Sequence, residues 1–244
     1  MIKFWVNICF YYSEERLNRF YKVIKNLINI PHIKIIINSN INFDTNLPIH
    51  TANLQDPYMH TWEHKKYLLE FLKSDYTHFG YLEGNIEIKK KNIDYWVATR
   101  TLFKRNNLDF IPALHRIQKK DNEIFSLDCI HHQNNRPIIK VEDQKFISLS
   151  EPYQGMFIMD KELANEHIKS DYFSPGLKKN FLIRESATLG NMFVNVPKGF
   201  DHRHMLSLTN FSDSWVEHFG TDYHGDVNSP HAKIKILHLF SNKT

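Results

Sequence analysis

Three segments near the start constrain the fold most. Residues 3–10 are apolar and rich in β-formers. Ser13, Glu14 and Glu15 follow as a helix start, with Leu17, Phe20, Ile24 and Leu27 at helical spacing. Pro31 ends that helix, and residues 32–37 form a second β-rich run closed by Asn38-Ser39-Asn40. A strand, an amphipathic helix and a strand make a βαβ unit, which demands parallel strands and a right-handed crossover. A third strand is expected at residues 78–82, running directly into Glu83-Gly84-Asn85, after a helix at residues 61–74. Further expected elements are a helix carrying Ile93, Trp96, Val97 and Arg100, and strands at 109–114, 146–149 and 155–159. A helix at 161–168 and a last strand at 234–239 complete the set. The predicted class is α/β: a mixed, mostly parallel central sheet flanked by helices, in a single domain spanning residues 1–244.

The remaining composition narrows the function classes. The chain has 244 residues, long enough for a substantial core, and 8 glycines and 9 prolines argue against low complexity. No apolar run is long enough to cross a bilayer, and the first residues lack a secretory pattern, so a cytoplasmic protein is expected. Two cysteines, Cys9 and Cys129, make neither a disulfide framework nor a zinc ribbon. The net charge is +4, with scattered lysines and no zinc, helix-turn-helix or aromatic RNA motif, so no nucleic-acid partner is expected. Lys89-Lys90-Lys91 reads as a solvated helix start before it reads as a patch for anionic lipid or nucleic acid.

Ligands of open α/β sheets sit beyond the carboxyl ends of the strands. That rule selects three loops: residues 9–12, 38–40 and 83–85. Glu83 and Asn85 offer oxygens that suit Mn²⁺ or Mg²⁺, and such ions bind substrate phosphates. Gly84-Asn85 is also ordinary turn chemistry, and from the local sequence the two readings are equal.

Tyr81-Leu82-Glu83-Gly84-Asn85-Ile86-Glu87-Ile88 resembles the Asp-X-Asp region of GT-A (Rossmann-like) glycosyltransferases, with Asp94-Tyr95-Trp96 where a Tyr-Trp pair follows. Thr61-Trp62-Glu63-His64-Lys65-Lys66 resembles the helix start before that strand. Tyr153-Gln154-Gly155-Met156-Phe157-Ile158-Met159-Asp160 resembles the acceptor-side strand, and Arg184-Glu185-Ser186-Ala187 and residues 195–200 follow in order. The resemblance rests on the order of these pieces and covers most of the chain. It implies a nucleotide-binding half at 1–105 and an acceptor-binding half at 106–244. It implies a nucleotide-sugar donor, a UDP-sugar favoured, and a glycan or lipid-linked acceptor. The setting would be bacterial surface-polysaccharide or lipopolysaccharide synthesis, with a peripheral contact at the inner membrane.

The donor-binding residues implied are Asn7, Tyr11, Asn38, Asn40, Trp62, His64, Lys65, Glu83 and Asn85. His238 would join Glu83 and Asn85 as a metal ligand. Glu185 is the candidate general base of an inverting transfer, because a carboxylate must take the acceptor hydroxyl's proton, and Asp160 and Glu151 are its rivals. His202 and His204 could meet phosphates, and residues 212–229, with Trp215, Phe219 and Tyr223, could form a lid. Asn85 replaces an aspartate and removes one negative charge. Metal affinity should therefore fall, or basic groups should neutralise the leaving phosphate instead. A non-catalytic module that binds a nucleotide-sugar or glycan on the same fold is the alternative.

Overall fold

The computed structural model describes residues 1–221 and 223–240. The chain opens with β1 (Phe4–Phe10), α1 (Glu14–Leu27), β2 (Ile33–Ser39) and β3 (Ile49–Thr51). A 3-10 segment (Pro57–Tyr67) runs into α2 (Leu68–Lys73), then β4 (His78–Glu83), β5 (Ile86–Glu87) and α3 (Lys90–Arg105). Next come β6 (Ile111–Pro112), β7 (His115–Lys120), β8 (Glu123–Ser126), β9 (Ile138–Val141), β10 (Gln144–Ile147) and β11 (Met156–Asp160). The last elements are α4 (Lys161–Ile168), α5 (Ile183–Ala187), β12 (His204–Ser207), β13 (Trp215–His218) and β14 (Ile234–Lys235).

The chain packs as two compact units that interleave in sequence: residues 1–86 with 155–191, and residues 87–154 with 192–244. The expected halves met at 105/106. The chain instead changes unit just after the Glu83-Gly84-Asn85 turn and returns with β11, because β11 pairs with β4.

The first unit is built on a five-stranded sheet of order β11-β4-β1-β2-β3. β1 lies between β2 and β4, parallel to both, and β3 is parallel to β2; β11 alone is antiparallel. The expected mostly parallel sheet is therefore present. α1 covers one face with Phe20, Val23, Ile24 and Leu27 buried, each contributing about 1.5–3 kcal/mol relative to exposure. Phe20 stacks on Phe10 at 4.1 Å between centroids.

The other face is covered by the 3-10 segment, α2 and α4. An α-helix was expected from residue 61, yet the helix proper begins at Leu68. Six consecutive residues, His60 to Lys65, are buried. An α-helix with one apolar stripe cannot bury every residue of a turn and a half against one sheet, and tertiary packing overrides the local periodicity.

Two further sheets, of four and five mostly short strands, have the orders β6-β12-β10-β9 and β14-β8-β7-β13-β5. α3 packs Leu102 and Phe103 against Phe110, Phe146 and Met205. Two expectations fall short here. The strand at 109–114 is reduced to Ile111–Pro112, and the strand at 234–239 stops at Lys235 and continues as a 3-10 turn, Ile236–His238. The supposed lid is partly sheet: β13 pairs in parallel with β7, and Trp215 packs against the core that contains Ile117 and Leu206. Lys89, Lys90 and Lys91 stand at the start of α3 beside Glu87, Asp94 and Asp213, as a solvated helix start would.

Gly80 shows how tightly β4 is held. A Cβ there would lie 2.8 Å from Cζ of the buried Phe4 ring. Gly80→Ala is expected to destabilise the protein by about 1–3 kcal/mol through overpacking, read as a lower urea midpoint at unchanged slope.

Candidate functional site

Parallel pairing in register fixes what meets at the sheet's carboxyl edge. Cys9 lies opposite Asn38 on one side and Glu83 on the other, and Phe10 lies opposite Ser39. The ends of β1, β2 and β4 thus form one rim. The turn after β4 is drawn onto the end of β1: the Gly84 amide donates to the Cys9 carbonyl at 2.8 Å. A Cβ on Gly84 would come within 2.9 Å of the Phe10 ring and 3.1 Å of that carbonyl, so glycine is the residue that allows the approach. Glu83 and Asn85 are half-buried at this rim.

Side chains at Trp5, Asn7 and Cys9 point to the face covered by the 3-10 segment, as alternation along a strand requires. Asn7 and Asn38 are buried there, and the Asn38 amide donates to Asn7 Oδ1. Asn7 Nδ2 and Asn38 Oδ1 have no protein partner. Asn40 accepts the Tyr12 amide at 2.7 Å and so shapes the turn after β1. Tyr11 is exposed and meets His60 edge-on, centroids 5.8 Å apart.

Cys9 reports what else surrounds the rim. Burial, and then the Glu83 carboxylate, push its thiol up to about 12. A hydrogen bond with Tyr81 and the charge of Arg184 act the other way, and Glu63 adds to the rise. Glu83, Glu63 and Arg184 therefore all lie within electrostatic reach of the end of β1. Glu63 is buried, ion-paired with Lys66, and 3.4 Å from His50. The Arg184 guanidinium sits 5.9 Å from the Tyr58 ring. Sequence reasoning did not assign Arg184 or Glu63 to the site. Their neighbours Glu185 and His64 drew the assignment, and only the tertiary approach of α5 and the 3-10 segment to β1 reveals them.

Three residues expected to touch a ligand turn inward instead. Trp62 is buried and donates its Nε1 proton to the Ile183 carbonyl at 3.0 Å, fastening the 3-10 segment to α5. His64 is buried with its ring 4.3 Å from that of Tyr81, its Nδ1 bonded to the Thr61 carbonyl at 2.7 Å. Lys65 is buried too. Its amine meets His167 Nε2 and donates to the Tyr172 carbonyl at 3.0 Å. Burial, reinforced by the charge of Lys178, holds the Lys65 amine well below its ordinary range. Burial and Lys65 push His64 and His167 down likewise. These residues form an interior polar layer beneath the rim.

The two catalytic candidates differ in position. Asp160 lies opposite His78, at the amino end of β4, roughly 17 Å along the strand from Glu83 at about 3.4 Å per residue. It caps α4 by accepting the Leu163 amide at 2.8 Å, because β11 runs antiparallel and delivers it to the opposite rim. Glu185 belongs to α5, beside Arg184. Its Oε2 accepts the Leu182 amide at 3.0 Å, a capping bond that uses one of its two oxygens.

His238 belongs to the second unit, exposed in the last 3-10 turn, its carbonyl accepting from His132 Nδ1 at 2.8 Å. His202 and His204 are buried there, with His202 Nε2 2.6 Å from the Leu149 carbonyl, so neither stands ready for a phosphate. Among the described residues no group of three or more His, Cys, Asp or Glu side chains could hold a metal ion. Glu83 with Asn85 provides one carboxylate and one amide oxygen. Oxygen donors of these two types are the kind that hard divalent ions take.

A cleft of about 530 Å³ opens after α4, bordered by Lys169, Tyr172, Leu177 and Lys178 among others. It lies on the rim side. His167, one residue before the end of α4, has its ring 6.2 Å from Phe157, which faces Tyr81, two residues before Glu83.

No protein-family model matches the chain. No curated protein sequence matches it either. Among solved structures, it is similar to S. aureus TarS at 11% identity and a TM-score of 0.38, covering 68% of this chain and 30% of that one. A structure of S. aureus TarS 1–349 shares 10% identity at a TM-score of 0.43, over 78% of this chain and 56% of that one. CMP:2-keto-3-deoxy-manno-octonic acid synthetase complexed with CTP shares 7% identity at a TM-score of 0.39, over 68% and 78%. The chain thus spans less than two thirds of the TarS chains.

The interior layer predicts a pH response. Below the ordinary histidine value of 6.5, His64 and His167 take up protons in the unfolded chain but resist doing so when folded. Stability is then fully present above that value and declines as the pH falls below it. His64→Phe should flatten the acid-side slope by up to about 1.4 kcal/mol per pH unit, measured by urea unfolding between pH 7 and 5. Identical slopes would mean that His64 protonates freely in the folded protein.

Proposed function

We propose that the chain is a glycosyltransferase of GT-A type, moving a sugar from a nucleotide-sugar, a UDP-sugar favoured, to a glycan or lipid-linked acceptor. The observation that carries the reading is the single rim where Cys9, Asn38 and Glu83 stand level at the carboxyl edge of three adjacent parallel strands. It is supported by the sequence resemblance centred on residues 81–88.

In this reading the nucleoside lies over the ends of β1 and β2. Tyr11 offers an exposed ring for stacking on the base, and Asn38 and Asn40 shape its polar surroundings. The diphosphate lies at Glu83-Gly84-Asn85. Glu83 and Asn85 would hold Mn²⁺ or Mg²⁺, which would supply positive charge beside the phosphates. Arg184 adds a fixed cation on the protein's side, the compensation that Asn85 calls for. Transfer with inversion needs one carboxylate at the acceptor hydroxyl. Glu185 takes that proton in this proposal, through the oxygen not engaged by the Leu182 amide. The hydroxyl oxygen then bonds the anomeric carbon as the bond from that carbon to the diphosphate breaks. Asp160 has no part in it, being at the other rim.

A nucleoside diphosphate should raise the melting temperature, and the nucleotide-sugar with acceptor should release nucleoside diphosphate. Glu83→Ala is expected to lower that release by about 100-fold or more, with the fold retained. Binding without release under any acceptor tried would favour the non-catalytic module, for which Asn85 in place of an acidic residue is the specific motive. No melting shift with UDP, GDP, CMP or their sugars, with and without Mn²⁺, would overturn both.

A further inference from the structure

The cleft after α4 takes no part in the proposed chemistry, yet two amines meet across its wall. Residues 168–174 and 177–179 line it, all within the first unit. The lining backbone is firmly built. The Ser170 amide donates to the His167 carbonyl at 3.0 Å, the Phe173 amide to the Ser170 carbonyl at 3.1 Å, and the Lys178 amide to Ser186 Oγ at 3.0 Å. Lys169 is exposed and Lys178 half-buried, and neither forms an ion pair among the described residues. Behind the wall stands the buried Lys65. Its amine donates to the carbonyl of Tyr172, a lining residue, at 3.0 Å and meets His167 Nε2. The rings of Trp62 and Phe157 lie 5.3 and 6.0 Å from it.

The groups that face this amine are basic or neutral. His64 comes from its own segment, His167 from α4, and Tyr172 and Lys178 from the loop, while β11 presents the Phe157 ring. The Lys178 ammonium is near enough to push the Lys65 amine down beyond what burial does. Asp171, the carboxylate of the lining, acts on the Tyr172 phenol instead. Two amines so placed cannot both carry charge cheaply. A cation in the cleft would sharpen that conflict, and a neutral ligand would leave it as it is. An anion removes it, because either ammonium then has a partner of opposite charge. A cleft of about 530 Å³ suits a small organic molecule.

We propose that the cleft after α4 binds a small oxyanion, a phosphate ester or a carboxylate, held by Lys169 and Lys178 with Lys65 behind its wall. Binding then carries a proton with it. With the anion in place, Lys65 keeps its proton to a higher pH than in the free protein. Between those two limits each binding event takes up a proton. Affinity therefore rises as the pH falls through that window, and levels off once Lys65 is charged in both states. This inference stands whether or not the rim of β1, β2 and β4 performs sugar transfer.

The test is isothermal titration of the full chain with sulfate at about pH 8.5, in two buffers of different ionisation enthalpy and at constant ionic strength. Sulfate does not titrate there, so any proton taken up belongs to the protein. Saturable binding with uptake of up to about one proton is expected. Lys178→Met should weaken binding at least about tenfold and leave the response to UDP unchanged. Lys65→Met should abolish the proton uptake while sulfate still binds, with unchanged circular dichroism verifying the fold. Ribose 5-phosphate and malonate then distinguish the two sources of the oxyanion, and tighter binding of either than of neutral ribose supports the proposal. No binding of sulfate, ribose 5-phosphate or malonate would overturn it. So would binding without proton uptake, uptake that persists in Lys65→Met, or affinity unchanged in Lys178→Met. Displacement of sulfate by UDP would place the anion at the strand rim, and would overturn it too.

Discussion

The pairing of β1 with a parallel strand on each side is the constraint on which the first unit depends. A strand so flanked exposes no ladder edge. Its residues on either face must be buried, which is why Phe4 to Ile8 reads as almost wholly interior. Parallel register also decides where the connecting loops emerge. Because Cys9 stands level with both Asn38 and Glu83, the three loops leave the sheet at the same height. Had any one strand run the other way, its loop would lie at the opposite rim, as Asp160 at the end of β11 does.

Beneath that rim lies a layer of polar groups that water does not reach. Asn7, Asn38, His64, Lys65 and His167 are buried between the sheet and the elements that cover it. Removing a charge from water is costly, so Lys65 and the histidines are held toward their neutral forms, and their hydrogen bonds satisfy part of what burial takes away. The amine of Lys65 ties the 3-10 segment to the loop after α4 through the Tyr172 carbonyl. The cleft wall and the floor of the rim are thereby joined by one side chain. Glycine serves the same end at Gly84, where the absence of a Cβ lets the turn rest on the Cys9 carbonyl, one residue before the end of β1.

Much of this architecture is legible in the sequence. The βαβ opening follows from a β-rich run, an acidic helix start and a second β-rich run, and α4 falls at the residues its spacing indicates. The rim loops follow from strand order alone. The 3-10 segment does not, because burial of six residues in succession carries no period. For the same reason Trp62, His64 and Lys65 read as ligand contacts in sequence and as interior groups in three dimensions. Asp160 and Glu185 show a second limit. A carboxylate that begins a helix looks the same in sequence whether it caps, catalyses or does both, and only strand direction separates the rims. Arg184 stands beside Glu185 in the sequence, but its electrostatic reach to Cys9 spans 175 positions and arises only from tertiary packing. The second unit's short strands, two to six residues long, leave little periodicity to read.

The central claim is that a nucleoside diphosphate meets the carboxyl edge of β1, β2 and β4. Amide hydrogen exchange of the protein with and without UDP and Mn²⁺ measures it most directly. The account predicts slowed exchange confined to residues 9–12, 38–41 and 83–86. Slowed exchange at the amino edge around residues 74–78 and 160–163, with the three loops unchanged, would contradict it.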